Sequence, residues 1–281
     1  MNIVEILKVV VLGIVEGFTE WLPVSSTGHM ILVNEIIKLR QPDSYYSVFE
    51  VVIQLGAILA VVTTFFQKLW PFARTERGGI GIVPDKFVLW VKIIVACLPA
   101  AVLGLLLDDF LDKYLYNGFV VALTLIGYGV AFLWIERRNE VSSFRILRTG
   151  ELDFKTAFLI GCFQCLALIP GTSRSGSTIL GAMLMGVSRT PATEFSFFLS
   201  VPVMFGASLL KLIKAGFAFN AVQWVYLIMG MVIAYVVSLY CINFLMQYIR
   251  RHDFRIFGWY RIVLGIIVLL WFAVRMLLGT A

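Results

Sequence analysis

Charged side chains are scarce in this chain of 281 residues, and their scarcity excludes most classes of protein. Asp, Glu, Lys and Arg together make up 14% of the sequence, against about a quarter in an average soluble domain. Apolar residues make up 60%, and the mean hydropathy is +0.92. These values predict an integral membrane protein without a separate soluble domain. The net charge of +6 then indicates loops at the cytoplasmic surface and no nucleic-acid partner.

Histidine and cysteine are also few, with two and four residues. Cys162 and Cys165 have the spacing of a redox motif, but both lie within an apolar segment, so small apolar helix residues are the favoured interpretation. His252 follows two arginines in a basic loop and is expected to be solvated. His29 is therefore the histidine with a candidate chemical role.

The apolar segments form two series of five. In each series the first two segments are short or interrupted, and the last three approach the ~20 residues that a membrane span needs. We interpret each series as one repeat of a hairpin and three spans. The first repeat covers about 1–140, with a re-entrant hairpin at 3–37 and spans at 46–66, 87–107 and 118–135. The second covers about 150–281, with a re-entrant hairpin at 156–187 and spans at 194–213, 222–246 and 256–278.

Individual residues support the repeat. Gly13-x-x-Glu16 followed by Pro23-x-x-Ser26 matches Gly161-x-x-Gln164 followed by Pro170-x-x-Ser173 if one residue is deleted in the second copy. Three full spans per copy place the two copies in opposite orientations. The sequence thus predicts an all-α integral membrane protein with an inverted-topology repeat, six transmembrane helices and two re-entrant helical hairpins that meet near the midplane.

The positions of Lys and Arg predict the orientation. One side of this topology carries seven of them: Lys8, Lys38, Arg40, Lys113, Lys211, Lys214 and Arg275. With Arg174 left out, the other side carries the remaining fifteen, Arg77 and Arg261 among them, and is therefore predicted to be cytoplasmic. Both termini and an acidic loop at 108–112 would then face outward.

The first hairpin carries two carboxylates and a hydroxyl cluster. Glu16 and Glu20 are four residues apart and share a helical face, where two buried like charges favour binding of a hard divalent cation. Ser26 and His29 lie on one side of the helix that begins after Pro23. Histidine could activate Ser26 as a nucleophile, or could itself transfer a proton.

The second hairpin carries a cation among hydroxyl groups. An arginine at apparent membrane depth costs about 2.5–3.5 kcal/mol on insertion scales, so Arg174 needs a compensating partner. A phosphate group is the natural partner, because a guanidinium, hydroxyls and helix N-terminal N–H groups all bind phosphate oxygens. The candidate phosphate-binding residues of both hairpins are Ser25, Thr27, Gly171, Ser173, Arg174, Ser175, Ser177 and Thr178. Gln164 stands where the first copy has Glu16 and is a further candidate metal ligand.

Together these motifs resemble one known family. Glu16-Gly-x-Thr-Glu20-x-Leu-Pro-Val-Ser-Ser26-Thr-Gly-His29, with Gln164 and Pro-Gly-x-Ser173-Arg174-Ser-Gly-x-Thr178, is similar to the motif pair of the undecaprenyl-diphosphate phosphatases, also called bacitracin-resistance proteins. The resemblance extends along the whole chain and implies hydrolysis of a C55 isoprenoid diphosphate, assisted by Mg²⁺ or Ca²⁺. It implies functional roles for Glu16, Glu20, Ser26, His29, Ser173, Arg174 and Thr178.

The resemblance also implies a location in the bacterial inner membrane, with the site open to the outer face. Its partners would be the lipid diphosphate substrate and the surrounding membrane lipids. A homodimer is a further expectation. The residues leave the nucleophile open among Ser26, His29 and water. They also leave open a transporter or flippase for a lipid phosphate or small anion, because inverted repeats with broken helices are typical of transporters.

Overall fold

The computed structural model describes residues 2–74, 79–115, 117–141 and 143–277. These residues form twelve α-helices: α1 (Ile3–Thr19), α2 (Ser26–Ile36), α3 (Asp43–Val52), α4 (Gln54–Thr64), α5 (Phe66–Leu69), α6 (Pro84–Tyr114), α7 (Gly118–Asn139), α8 (Phe154–Gln164), α9 (Arg174–Leu184), α10 (Arg189–Ala215), α11 (Ala221–Tyr248) and α12 (Arg255–Leu277). Two short strands, β1 (Phe72–Arg74) and β2 (Ile80–Ile82), pair antiparallel with Phe72 opposite Ile82. The predicted all-α membrane fold is confirmed.

Six helical segments of the described chain are long and apolar enough to cross a membrane. They lie at Asp43–Thr64, Pro84–Leu107, Gly118–Asn139, Arg189–Ala215, Ala221–Tyr248 and Arg255–Met276. Each one matches a predicted span. Many of their large apolar side chains are exposed, for example Leu105 and Leu106, as expected of helices that face lipid.

Two spans differ from the prediction in detail. The first span consists of α3 and α4, which meet at Ile53. The second continues to Tyr114, so the segment at 108–112, which was predicted as an acidic loop, has a helical backbone. No glycine or proline stands at 105–114 to end the helix. The side chains of Asp108, Asp109, Asp112 and Lys113 lie outside the described residues, as does the whole of Arg77.

The two predicted hairpins are α1–α2 and α8–α9, and their tips touch. Ser175, in the first turn of α9, has its Oγ 3.3 Å from the carbonyl oxygens of both Glu20 and Leu22, which share its single hydroxyl hydrogen. The same hydroxyl lies 3.1 Å from Ser173 Oγ. The non-helical backbone of one tip is therefore hydrogen-bonded by the other tip.

Each hairpin packs against a long helix from the other half of the chain. α1 lies on α11 at Gly17, where an added Cβ would come within 2.6 Å of the carbonyl oxygen of Ala234. α8 lies on α6 at Gly161, where a Cβ would come within 2.2 Å of the carbonyl oxygen of Ala96. This exchange of partners is what an inverted repeat would produce. The division into repeats of about 1–140 and 150–281 stays a prediction.

Candidate functional site

The first tip is the turn at residues 20–24, between α1 and α2. Pro23 has no N–H to donate, so a continuous helix would lose a hydrogen bond here. Ser25 then adopts a positive φ of 74°, and its Oγ accepts from the N–H of Gly28 at 3.3 Å. This cap starts α2 at Ser26, whose side chain is thereby placed at a helix N-terminus.

The second tip has the same construction. α8 passes into a short 3₁₀ turn, Cys165–Leu168, and the chain then bends through Gly171 at φ 84°. Ser173 adopts a φ of 75°, and its Oγ accepts from the N–H of Gly176 at 3.1 Å. α9 therefore begins at Arg174, in the position that Ser26 has in α2.

The structure corrects the predicted alignment of the two copies. Ser25 and Ser173 have the same unusual backbone conformation and the same capping bond, so these two residues are equivalent. Ser26 is then equivalent to Arg174, and the second copy needs no deleted residue to align with the first. Matching Pro23 to Pro170 was wrong because proline tolerates several positions in a turn, whereas the capping geometry allows one.

A hydrogen-bonded chain of three side chains joins the two tips. Ser26 donates from Oγ to Glu20 Oε2 at 2.6 Å, and Arg174 donates from Nη2 to Glu20 Oε1 at 2.8 Å. The side chains of Glu20 and Arg174 are only 7% and 11% exposed. Shielding from water strengthens this ion pair, and the carboxylate is held against the hydroxyl.

Other buried groups orient Arg174. Its Nη1 donates to the carbonyl oxygen of Ser196 on α10 at 2.7 Å, and its guanidinium lies over the ring of Trp21, 5.7 Å from the centroid. Thr178 Oγ1 lies 2.7 Å from Ser196 Oγ, which connects the predicted hydroxyl cluster to the same network. Arg174 Nε is buried and has no partner among the described groups. One N–H of the guanidinium thus has no acceptor among the described groups.

The remaining predicted hydroxyls lie close by and are engaged to different degrees. Ser177 is fully buried: its Oγ donates to the carbonyl oxygen of Ser173 at 3.0 Å and lies 3.3 Å from Tyr128 Oη, from which it can accept. Ser175 crosses between the tips as described above. Thr27 is partly buried in the first turn of α2. The structure therefore brings the two predicted motifs into one cluster.

His29 is held by a different set of contacts from the one predicted. Its Nδ1 lies 2.7 Å from the carbonyl oxygen of Ser25, and its Nε2 lies 2.7 Å from Tyr260 Oη. A carbonyl oxygen only accepts, so Nδ1 carries the proton and Nε2 has the lone pair when the ring is neutral. The described partner of Ser26 is Glu20, and the expected pairing of Ser26 with His29 as its base is not formed.

Sequence reasoning missed the contribution of α12. Tyr260 contacts His29, and the next residue, Arg261, is fully buried and donates to carbonyl oxygens of both tips. Counting Arg261 among the cytoplasmic loop cations was therefore wrong. The available signal was a charged residue six positions into a span. It is weak because Arg255 stands just before this segment, and the start of the span is therefore hard to locate.

Comparisons with known proteins agree with the geometry. A family model described as bacitracin resistance protein BacA matches residues 9–267. This chain belongs to that family. It is also 54% identical over 270 residues to an undecaprenyl-diphosphatase of Enterococcus faecalis, covering 96% of this chain and 98% of the relative. It is 56% identical over 272 residues to an undecaprenyl-diphosphatase of Acetivibrio thermocellus, covering 96% and 99%. A relative of the same name from Desulfitobacterium hafniense is 54% identical over 280 residues, covering 99% and 100%.

The divalent cation that the resemblance implies can be tested against the BacA-family site. Glu16 is 1% exposed, and its Oε1 is buried without a hydrogen-bond partner among the described groups. Glu20 and Glu50 lie close enough to interact electrostatically with it. Arg174 offsets part of this negative charge. A buried carboxylate oxygen without a hydrogen-bond partner, beside two other carboxylates, still fits a hard cation.

The cation site has few protein ligands. No group of three or more His, Cys, Asp or Glu side chains is arranged to hold a metal in the part of the chain that the structure describes. Both oxygens of Glu20 already have partners, so Glu16 offers the vacant oxygen of the predicted pair. Gln164 is 2% exposed, with both amide atoms unpartnered. Such a small ligand set suits Mg²⁺, which commonly completes its shell with water and substrate phosphate.

Proposed function

We propose that this protein hydrolyses undecaprenyl diphosphate, a C55 isoprenoid diphosphate, to undecaprenyl phosphate and inorganic phosphate. The proposal rests on family membership, on the activity for which relatives that match nearly the whole chain are named, and on one structural observation. That observation is the buried chain Ser26–Glu20–Arg174, which joins a hydroxyl, a carboxylate and a guanidinium across the two tips.

The second tip is suited to bind the diphosphate. Arg174 is partly buried in the first turn of α9, whose N-terminus carries partial positive charge. Ser173 at this terminus is also partly exposed. The hydroxyls of Ser175, Ser177 and Thr178 are instead buried and donate to carbonyl oxygens, so they would have to turn to bind phosphate. In the complex, Arg174 would interact with the phosphate as well as with Glu20, so its interaction with Glu20 would weaken. A carboxylate that loses part of its counter-charge becomes a stronger base, so substrate binding would prepare Glu20 for proton transfer.

Ser26 is the nucleophile that this geometry favours. Glu20 Oε2 accepts its proton while Oγ forms a bond to the terminal phosphorus, and the bond from phosphorus to the bridging oxygen breaks. Undecaprenyl phosphate leaves and takes that proton from Glu20. In the second step Glu20 accepts a proton from an attacking water and returns it to Ser26 Oγ as inorganic phosphate departs. Arg174 stabilises the charge that develops on the phosphoryl oxygens.

His29 and water remain the alternatives. Because Nδ1–H is held by the carbonyl of Ser25, the Nε2 lone pair is the reactive atom of the neutral ring, and Tyr260 holds it in place. Nucleophilic attack by His29 would have to displace that tyrosine contact. Direct attack by a water activated by Glu20 would form no covalent intermediate.

We further propose that Glu16 and Glu20 hold a Mg²⁺ or Ca²⁺ ion, with Gln164 as a third ligand. Glu16 would supply its vacant Oε1, and Glu20 would share an oxygen that already accepts a hydrogen bond. The ion would neutralise part of the diphosphate charge. The chain would lie in the inner membrane of a bacterium, with its termini and the site opening on the outer face, surrounded by membrane lipids. This orientation rests on the distribution of Lys and Arg. A homodimer remains a prediction.

The experiment is phosphate release from the C55 diphosphate by detergent-purified protein. Wild type should turn over, while Ser26→Ala and Arg174→Ala should lose at least 100-fold in kcat per folded molecule. Lys68→Met is a control on α5: it removes an exposed cation that pairs with Glu194 at 2.7 Å and leaves the described contacts of Ser26, Glu20 and Arg174 in place. Wild-type protein that binds the lipid without releasing phosphate would favour the flippase instead.

A trapping experiment identifies the nucleophile. Protein quenched during turnover should carry a phosphate adduct that survives acid, as phosphoserine does. An acid-labile adduct would indicate His29, and turnover without any adduct would indicate direct attack by water.

A further inference from the structure

Arg261 is a fully buried cation with a well-defined set of partners. It lies in α12 at 0% exposure. Its Nη1 donates to the carbonyl oxygen of Pro23 at 3.1 Å, and its Nη2 donates to those of Gly171 and Thr172 at 2.9 and 2.8 Å. No ion pair with Arg261 occurs among the described residues. Its compensation comes from three carbonyl dipoles and the ring of Tyr128, 5.2 Å from the guanidinium carbon.

These three carbonyls belong to the two tips. Pro23 lies two residues before Ser25, which caps α2, and Thr172 lies directly before Ser173, which caps α9. Irregular backbone inside a membrane domain must find hydrogen-bond partners within the protein. One guanidinium satisfies carbonyls in both irregular segments and so fixes their separation.

We call Arg261 and the three carbonyl groups that it binds the clamp. The surrounding residues leave the guanidinium little room to move. A Cβ at Gly176 would come within 2.8 Å of Arg261 Nη1, so the guanidinium lies directly against the first turn of α9. That turn begins with Arg174. The clamp therefore borders the cation of the site on one side and the turn that leads to Ser26 on the other.

We infer that Arg261 is a positioning residue for the phosphoryl transfer. It holds the two tips in the register that places Glu20 between Ser26 and Arg174, and it does not itself contact the reacting atoms. Lysine cannot replace it, because an ammonium group is a point donor and lacks the planar fork that spans two tips. The inference rests on the proposed function only for its activity readout.

The direct test is Arg261→Lys with Arg189→Lys as the matched control. Arg189 is also an arginine with a buried partner, since it pairs with the fully buried Glu136 on α7, but it lies away from the tips. A displacement of about 1 Å in reacting groups costs on the order of 100-fold. Arg261→Lys should therefore lower kcat about 10- to 100-fold with KM within threefold of wild type, while Arg189→Lys should keep both values.

A second variant keeps the arginine and disturbs its position, with a weaker contact to Ser173 Cβ at 3.3 Å. In Gly176→Ala the new methyl group would push against Nη1, so kcat should fall about tenfold. If both changes act through the clamp, the double variant should be less impaired than the product of the two single effects. Thermal unfolding in detergent would be measured for every variant.

The outcomes separate this inference from the proposed function. Wild-type turnover with an unchanged kcat in Arg261→Lys would overturn the positioning role and leave the activity standing. A wild-type protein without turnover would overturn the activity. If Arg261→Lys does not fold, Gly176→Ala decides: a full kcat would show that Arg261 serves the fold alone, and a lowered kcat at unchanged Tm would support positioning.

Discussion

Glu20→Gln is the sharpest test of the site, because Glu20 is the one side chain bonded to both the hydroxyl and the guanidinium. Glutamine keeps the shape of glutamate but has one accepting oxygen and one donating NH₂ group. Whichever way the amide turns, it can accept from Ser26 or from Arg174 but not from both. The variant therefore removes the base and breaks half of the chain without leaving a cavity.

The expected size of the effect follows from these contacts. A positioned general base contributes about 10²- to 10⁴-fold to the rate, which corresponds to about 3–5 kcal/mol of transition-state stabilisation. kcat should fall by that factor. Arg174 would lose its counter-charge, so its attraction for the diphosphate should increase and KM should stay level or fall.

Glu20→Gln should destabilise the ligand-free protein, and a phosphate-bearing ligand should reverse this loss. Removing one partner of a buried pair costs up to about 3–5 kcal/mol, and Arg174 is 11% exposed. Glu20→Gln should therefore lower Tm in the absence of ligand. Undecaprenyl phosphate should raise the Tm of this variant more than that of wild type, because its phosphate supplies the missing negative charge.

The assay is phosphate release over a range of substrate concentrations, with thermal unfolding in the same detergent. Glu5→Gln is the control, since Glu5 is also a buried glutamate of α1, paired with Lys8 at 2.7 Å, and lies about 22 Å along the helix from Glu20. A Glu20→Gln enzyme with more than a tenth of the wild-type kcat would refute the role of Glu20 as general base. A raised KM with unchanged kcat would mean that Glu20 only binds.

Three further changes test neighbouring parts of the structure. Tyr260→Phe removes one hydrogen bond to His29 Nε2 and should lower kcat by up to about tenfold; a larger loss than in His29→Ala would show that Tyr260 does not act through the histidine. Glu16→Gln should raise at least tenfold the Mg²⁺ concentration that gives half-maximal activity, and an unchanged titration would remove Glu16 from the cation site. Glu136→Ala leaves Arg189 without its buried partner and should destabilise the fold by about 3–5 kcal/mol, with kcat per folded molecule kept. In partly folded samples, total activity should fall in proportion to the folded fraction. A lower kcat at an unchanged Tm would contradict this prediction.

The overall fold was predictable because span length and hydropathy are properties of consecutive residues. The segments after Pro23 and Pro170, at 24–37 and 174–187, are too short to cross a bilayer unaided. The structure has a pair of short helices around each proline. Arg174 was recognisable because a cation in an apolar stretch needs a partner. In these cases local composition carries the information.

The partners inside the site were less predictable, because side-chain direction depends on the tertiary structure. Ser26 and His29 are one turn apart, a spacing that permits contact, but the ring bonds backward to the carbonyl of Ser25 and outward to Tyr260. Tyr260 is 231 positions away in the chain. A pattern of spacings within one hairpin cannot identify a partner supplied by the last helix.

The corrected register explains how two similar tips can form one asymmetric site. Ser26 and Arg174 are the first residues of their helices, each directly after a serine cap with positive φ. Both helix N-termini carry partial positive charge, so both tips favour an anion. A carboxylate between them is supplied by the first copy alone, since Leu168 stands at the position equivalent to Glu20. Two carboxylates would repel each other and the substrate, and two arginines would lack both a base and a nucleophile. These two pairs of positions thus differ in the way that the proposed mechanism requires: the first tip has the proposed nucleophile and base, and the second has the cation proposed to bind phosphate.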